Sequence, residues 1–201
     1  MKFGRILLNI IRPIIYLIFP YKVTGAENVP EQNGQPVILC ANHISIIDPV
    51  FLLLSIKRHI YYMAKAELFK GSLATWLFAK QFGAFPVRRG EGDKGSLDNA
   101  ERIVREGKMM GIFPEGTRSK TGKLGRAKSG AALIAARTGA CVVPVAIKSS
   151  GQKVRPFKKT QIIIGKAISN SELHIDDANN PDLRFASRLV MQRIAQLMEG
   201  N

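Results

Sequence analysis

A histidine and an aspartate five positions apart, His43 and Asp48 in Asn42-His43-Ile44-Ser45-Ile46-Ile47-Asp48-Pro49, are the residues of this chain best suited to move a proton. A carboxylate that accepts the proton of one imidazole nitrogen fixes the tautomer and leaves the other nitrogen as a base. On a continuous α-helix five residues turn through about 500°, so the two side chains would diverge by roughly 140°. In a turn they can meet, and the sequence around them reads as one. The apolar run Val37-Ile38-Leu39-Cys40 predicts a buried strand. Asp48-Pro49 predicts a helix start, with Asp48 as N-cap and Pro49 as the first helical residue ahead of Phe51, Leu52, Leu53 and Leu54. His43 therefore falls where a strand ends and a loop enters a helix, a frequent position for active-site groups in α/β folds. Taken alone, the pair also fits a surface histidine beside an ordinary helix cap.

A second stretch changes that balance. Phe113-Pro114-Glu115-Gly116-Thr117-Arg118-Ser119 again follows an apolar run. Gly116 permits close backbone approach, and Arg118 offers a fork matched to a phosphate. The two stretches together resemble the first and third sequence blocks of the glycerolipid acyltransferase family, Asn-His-x4-Asp and Phe-Pro-Glu-Gly-Thr-Arg-Ser. Gly83-Ala84-Phe85-Pro86-Val87-Arg88-Arg89 resembles the second block, with Pro86 where many members carry an aromatic or aliphatic residue. Val142-Val143-Pro144-Val145-Ala146-Ile147 resembles the fourth. The likeness runs from about position 37 to 148 and is nearest to bacterial members that act on 1-acyl-glycerol 3-phosphate.

The resemblance implies the transfer of a fatty acyl group from an acyl thioester, of acyl carrier protein or coenzyme A, to the sn-2 hydroxyl of 1-acyl-glycerol 3-phosphate, giving phosphatidic acid. In that reading His43 is the general base and Asp48 orients it. Glu115, Gly116, Thr117 and Arg118 inherit the binding of the glycerol-phosphate acceptor, and Arg89 and Lys65 are further phosphate ligands. Ser45, two residues from His43, leaves an acyl-serine route open, although no nucleophile-elbow glycines flank it. Another lysophospholipid or glycerol 3-phosphate is the alternative acceptor, because the blocks are shared. The basic stretch Lys120, Lys123, Arg126 and Lys128 fits acyl carrier protein, coenzyme A phosphates, lipid headgroups or plain solvent. No cofactor and no metal are expected: His59 and His174 lie far from His43, and no ligand cluster is visible.

The rest of the chain must hold these residues. Its 201 residues suffice for one domain with a sizeable core, and 46% hydrophobic content is ordinary. The charge is not: 30 Lys and Arg against 15 Asp and Glu give +15, which calls for an anionic partner such as nucleic acid, an anionic membrane or a phosphorylated substrate. Nucleic acid is disfavoured, since the cations are scattered and no helix-turn-helix, zinc-ligand or RNP pattern occurs. Cys40 and Cys141 fall in predicted buried strands and read as reduced core residues of a cytosol-facing domain. A catalytic role for the Cys40 thiol conflicts with its apolar setting.

Residues 1–22 are apolar but broken by Arg5, Asn9, Arg12 and Pro13, and no run approaches the ~20 residues of a bilayer span. They read as an interfacial membrane helix, with packing on the core as the plainer possibility. Residues 23–201 read as the acyltransferase domain. The expected location is the cytoplasmic face of the cell membrane, peripheral or monotopic. Strands are predicted at 36–41, 59–64, 109–113, 141–148 and 160–165, with a short one within 21–35. Helices are predicted at 72–82, from Ser96 to Gly107, from Ala131 to Gly139, and from Pro181 onward. Strands alternating with helices predict an α/β layered fold with a mixed, mainly parallel sheet.

Overall fold

The computed structural model describes residues 2–31, 34–69, 82–87, 94–151, 153–177 and 179–200. In chain order its elements are α1 (Lys2–Ile18), β1 (Tyr21–Thr24), β2 (Val37–Ala41), α2 (Asp48–Ser55), β3 (Ile60–Lys65), β4 (Ala84–Val87), α3 (Lys94–Arg105), β5 (Met109–Ile112), α4 (Gly130–Thr138), β6 (Cys141–Ser149), β7 (Thr160–Ile164) and α5 (Leu183–Glu199). The strands form one sheet in the order β1-β7-β6-β2-β5-β3-β4. Every neighbouring pair is parallel except β6 with β7. The predicted layered fold with a mixed, mainly parallel sheet is therefore the observed one.

Strand geometry explains how the core divides. Successive side chains point to opposite faces, so a strand covered on both sides must be apolar throughout. In β2 all five residues are buried. Val37, Leu39 and Ala41 join one cluster with Phe51 to Leu54 of α2 and with Leu8 of α1. Ile38 and Cys40 join the other, with Ala100, Ile103 and Val104 of α3, Ala131 to Ala135 of α4, and Ala186, Val190 and Ile194 of α5. Thus α1 and α2 cover one face, and α3, α4 and α5 the other.

That division places the site. β2 and β5 are adjacent and parallel, Cys40 opposite Ile112. The chain leaving β2 enters α2 on one face, whereas the chain leaving β5 reaches α4 on the opposite face. Two neighbouring strands whose connections diverge in this way open a crevice at their carboxyl ends, the usual ligand position in open α/β sheets. β3 and β4 are parallel to β5, so Lys65 and Val87 end their strands at the same edge.

Several boundaries differ from expectation for local reasons. Asp48 is the first residue of α2 and Ile47 its N-cap, because the Asp48 side chain turns back toward the preceding loop instead of capping the helix. α3 starts at Lys94, so Ser96 lies inside it rather than at its cap. α5 starts two residues after Pro181, where Asp182 accepts the Phe185 N–H at 2.8 Å. The helix expected at 72–82 lies, but for Phe82, outside the described residues. The first helix is apolar on two faces. Leu7, Leu8, Ile11 and Ile15 pack on the core, while Ile6, Ile10, Ile14 and Leu17 are exposed. No helix among the described residues is long and apolar enough to cross a membrane.

Candidate active site

β2 ends at Ala41, and the next residue makes the exit possible. The Asn42 amide donates from Nδ2 to the Ile147 carbonyl at 3.0 Å and accepts the Ile147 N–H on Oδ1 at 2.7 Å. A side-chain amide thus imitates the peptide that would have continued the ladder with β6, and the main chain is free to turn away. Asn42 is buried, where an unpaired amide would be costly.

The turn that follows is built around Asp48. His43 Nδ1 lies 2.8 Å from Asp48 Oδ2, and the same oxygen accepts the N–H groups of Ile44 and Ser45 at 2.7 Å each. A carboxylate has only lone pairs to offer, so in this arrangement Nδ1 carries the imidazole hydrogen and Nε2 presents its lone pair. Asp48 is fully buried while the His43 side chain keeps 15% of its surface open, so the base can be reached and its partner cannot. Asp48 also lies in the first turn of α2, where the helix dipole favours a negative charge.

An aromatic ring covers one face of the imidazole. Phe113 stacks on His43 with centroids 4.1 Å apart, and Tyr62 lies nearly parallel to Phe113 at 6.2 Å. The Tyr62 hydroxyl donates to the Pro49 carbonyl at 3.3 Å. Burial, reinforced by the nearby Asp48 charge, pushes its pKa well above the usual phenol range, so it remains a donor at neutral pH. The ring sits over Gly111, where a Cβ would come within 2.3 Å of it.

Glu115 joins the two loops. It is buried, and its carboxylate accepts the His43 N–H on Oε1 at 3.1 Å and the Gly125 N–H on Oε2 at 2.8 Å. The Ser119 N–H donates to the His43 carbonyl at 2.7 Å. Gly116 takes a left-handed φ of +72° in the turn closed by its N–H to the Phe113 carbonyl. The Lys128 side chain crosses this turn, its Cε 3.0 Å from where a Gly116 Cβ would stand.

The structure therefore brings His43, Asp48, Glu115 and Gly116 together, with Thr117 and Arg118 exposed just beyond them. Lys65 ends β3 at the same sheet edge, and its side chain lies outside the described residues, as does Arg89. Ser45 Oγ accepts the Ile47 N–H at 3.4 Å within the turn. Cys40 faces the cluster on the opposite side of the sheet, and burial pushes its thiol up to about 12. Among the described residues no group of three or more His, Cys, Asp or Glu could hold a metal. Sequence reasoning gave no role to Asn42, Phe113 or Tyr62. A polar residue closing an apolar strand was the available signal for Asn42; ring stacking across three strands has no local signal.

This geometry can be set beside known proteins. A family model described as Acyltransferase matches residues 20–148. The chain is 32% identical over 195 residues to the 1-acyl-sn-glycerol-3-phosphate acyltransferase of Bacillus subtilis, covering 94% of each chain. It is 32% identical over 179 residues to the chloroplastic 1-acyl-sn-glycerol-3-phosphate acyltransferase BAT2 of Brassica napus, covering 83% of this chain and 51% of that one, so it spans about half the length of the plant relative. Its fold matches the crystal structure of the 1-acyl-sn-glycerophosphate acyltransferase PlsC of Thermotoga maritima with a TM-score of 0.74 at 24% identity, over 98% of this chain and 82% of that one. From the family match and the full-length similarity to the Bacillus protein, the chain belongs to the acyltransferase family.

Proposed function

We propose that the protein transfers a fatty acyl group from an acyl thioester to the sn-2 hydroxyl of 1-acyl-glycerol 3-phosphate, producing phosphatidic acid at the cytoplasmic face of a membrane. The observation that carries this reading is the His43–Asp48 pair, 2.8 Å apart and opening beside the Glu115–Arg118 turn. Relatives bearing that activity in their names support it.

The chemistry follows from the atoms present. His43 Nε2 takes the hydroxyl proton as the acceptor oxygen attacks the thioester carbonyl carbon. Asp48, a buried acceptor on Nδ1–H, stabilises the imidazolium that forms. The tetrahedral intermediate collapses by breaking its C–S bond, and the imidazolium returns the proton to the departing thiolate. Atoms and charge balance with acyl ester and free thiol as products, and no enzyme nucleophile is consumed. Arg118, exposed at the rim of the turn, supplies together with Lys65 and Arg89 the charge that selects a phosphate-bearing acceptor. The exposed apolar face of α1 lies in the lipid interface, from which the lysolipid acceptor comes.

The test is acyl transfer to 1-acyl-glycerol 3-phosphate in detergent, with acyl carrier protein and coenzyme A thioesters as parallel donors and other lysophospholipids and glycerol 3-phosphate as parallel acceptors. His43→Ala is expected to lower turnover by about 10²–10⁴-fold. Arg118→Ala is expected chiefly to raise the acceptor KM. Wild type that is inactive with this acceptor but active with another would overturn the acceptor assignment; full activity in His43→Ala would overturn the general base.

A further inference from the structure

Phe157 is an exposed aromatic that the site does not use. It lies between β6 and β7 with 73% of its surface exposed and a left-handed backbone at φ 60°. A large apolar side chain in water and a positive φ on a non-glycine residue are both unfavourable, and nothing in the catalytic geometry calls for either. The loop is also fixed in place. The Phe157 N–H donates to the Ile18 carbonyl at 2.6 Å and the Thr160 N–H to the Pro20 carbonyl at 2.9 Å, which ties the loop to the C-terminal end of α1. Val154 packs against the core from within it.

Charge completes the pattern. The loop reads Lys153-Val154-Arg155-Pro156-Phe157-Lys158-Lys159, with no acidic residue between Gly151 and Gly165. All four cations are exposed. Beside them, α1 turns Ile6, Ile10, Ile14 and Leu17 to solvent. An aromatic flanked by cations, held next to an unpartnered apolar helix face, has the complementarity of an anionic bilayer surface: apolar below the headgroups, negative at their level.

We propose that residues 153–159 form a second lipid-contacting element, in which the Phe157 ring enters the interface and Lys153, Arg155, Lys158 and Lys159 engage anionic headgroups. It extends the membrane placement of α1 given above and rests on it. Two separated contacts fix the orientation of a peripheral protein, where a single helix leaves it free to roll. The left-handed Phe157 backbone aims the ring outward from a loop whose other apolar residue, Val154, points inward.

The test is flotation of the full chain with vesicles of phosphatidylcholine alone or mixed with phosphatidylglycerol. Replacing Lys153, Arg155, Lys158 and Lys159 by Gln is expected to weaken binding to the mixed vesicles about a thousandfold and to leave binding to the neutral ones unchanged. Phe157→Asn removes the ring but suits a left-handed backbone, so it is expected to keep or raise the melting temperature while weakening binding to both vesicles about tenfold. Both variants are expected to retain acyl transfer to detergent-dispersed substrate, which separates this proposal from the catalytic one. Unchanged vesicle affinity in both folded variants would overturn it. So would a four-Gln variant that loses affinity for soluble acyl carrier protein while binding vesicles normally, which would make the loop a protein-docking surface. Ile10→Ser with Ile14→Ser measures the share of α1: if these weaken binding and the loop variants do not, the loop assignment fails and the helix assignment stands.

Discussion

Glu115 has no free oxygen. One carboxylate oxygen receives the backbone N–H of His43 and the other that of Gly125, so the residue braces the loop that carries the base. A glutamine in its place has one acceptor for two donors and turns an NH2 toward the second. Glu115→Gln is therefore expected to destabilise the fold by about 1–3 kcal/mol and to lower kcat more than it raises KM, read from a denaturation midpoint and steady-state kinetics. The bracing was not legible in the sequence, because a Glu in a Pro-Glu-Gly turn shows its charge but not the direction it points. The His43–Asp48 pair was legible, because an apolar run before it and Asp-Pro after it force a turn at a spacing that a helix would pull apart. What the sequence could not show was that one Asp48 oxygen would serve three donors, which made Asp48 a helix residue rather than a cap.

Elements were legible where glycine and proline mark them. α4 ends at Gly139, whose φ of +69° and N–H to the Ala135 carbonyl close the helix as its sequence predicts. Between elements the signal fades. Gly111 sits in β5 directly beneath the Tyr62 ring of β3, a packing relation no local pattern announces. A Cβ there meets the ring at 2.3 Å, and the ring is buried, so it has to move. Because Tyr62 neighbours Phe113 and Phe113 stacks on His43, the displacement reaches the base. Gly111→Ala is expected to cost about 1–3 kcal/mol and to reduce turnover in protein that remains folded, checked by chemical denaturation alongside the acyl-transfer assay.

At the scale of the whole molecule, the sheet is most secure at its centre. β2 has ladder partners on both sides and is buried throughout, whereas β1 pairs with β7 alone and alternates between exposed and half-buried residues. Amide hydrogen exchange is expected to be slowest in β2 and at least about tenfold faster in β1. The alternation of strands and helices made the layered class readable from the sequence, but the reversal at β7 and its pairing with β1 were not. A contact between residues that far apart leaves no mark on its neighbours, and the run 160–164 reads as a strand in either direction.

The pairing of β1 with β7 also sets an order of events during synthesis. Tyr21 waits for Thr160, its partner, to be made. At typical elongation rates of about 5–20 residues per second the wait is roughly 10–30 s. Throughout it the end of α1 lacks the two hydrogen bonds that Phe157 and Thr160 give to Ile18 and Pro20, although the α2 residues its inner face packs on are already made. The edge of the sheet is therefore the last part of the molecule to close, and the first strand made is among the last to be paired.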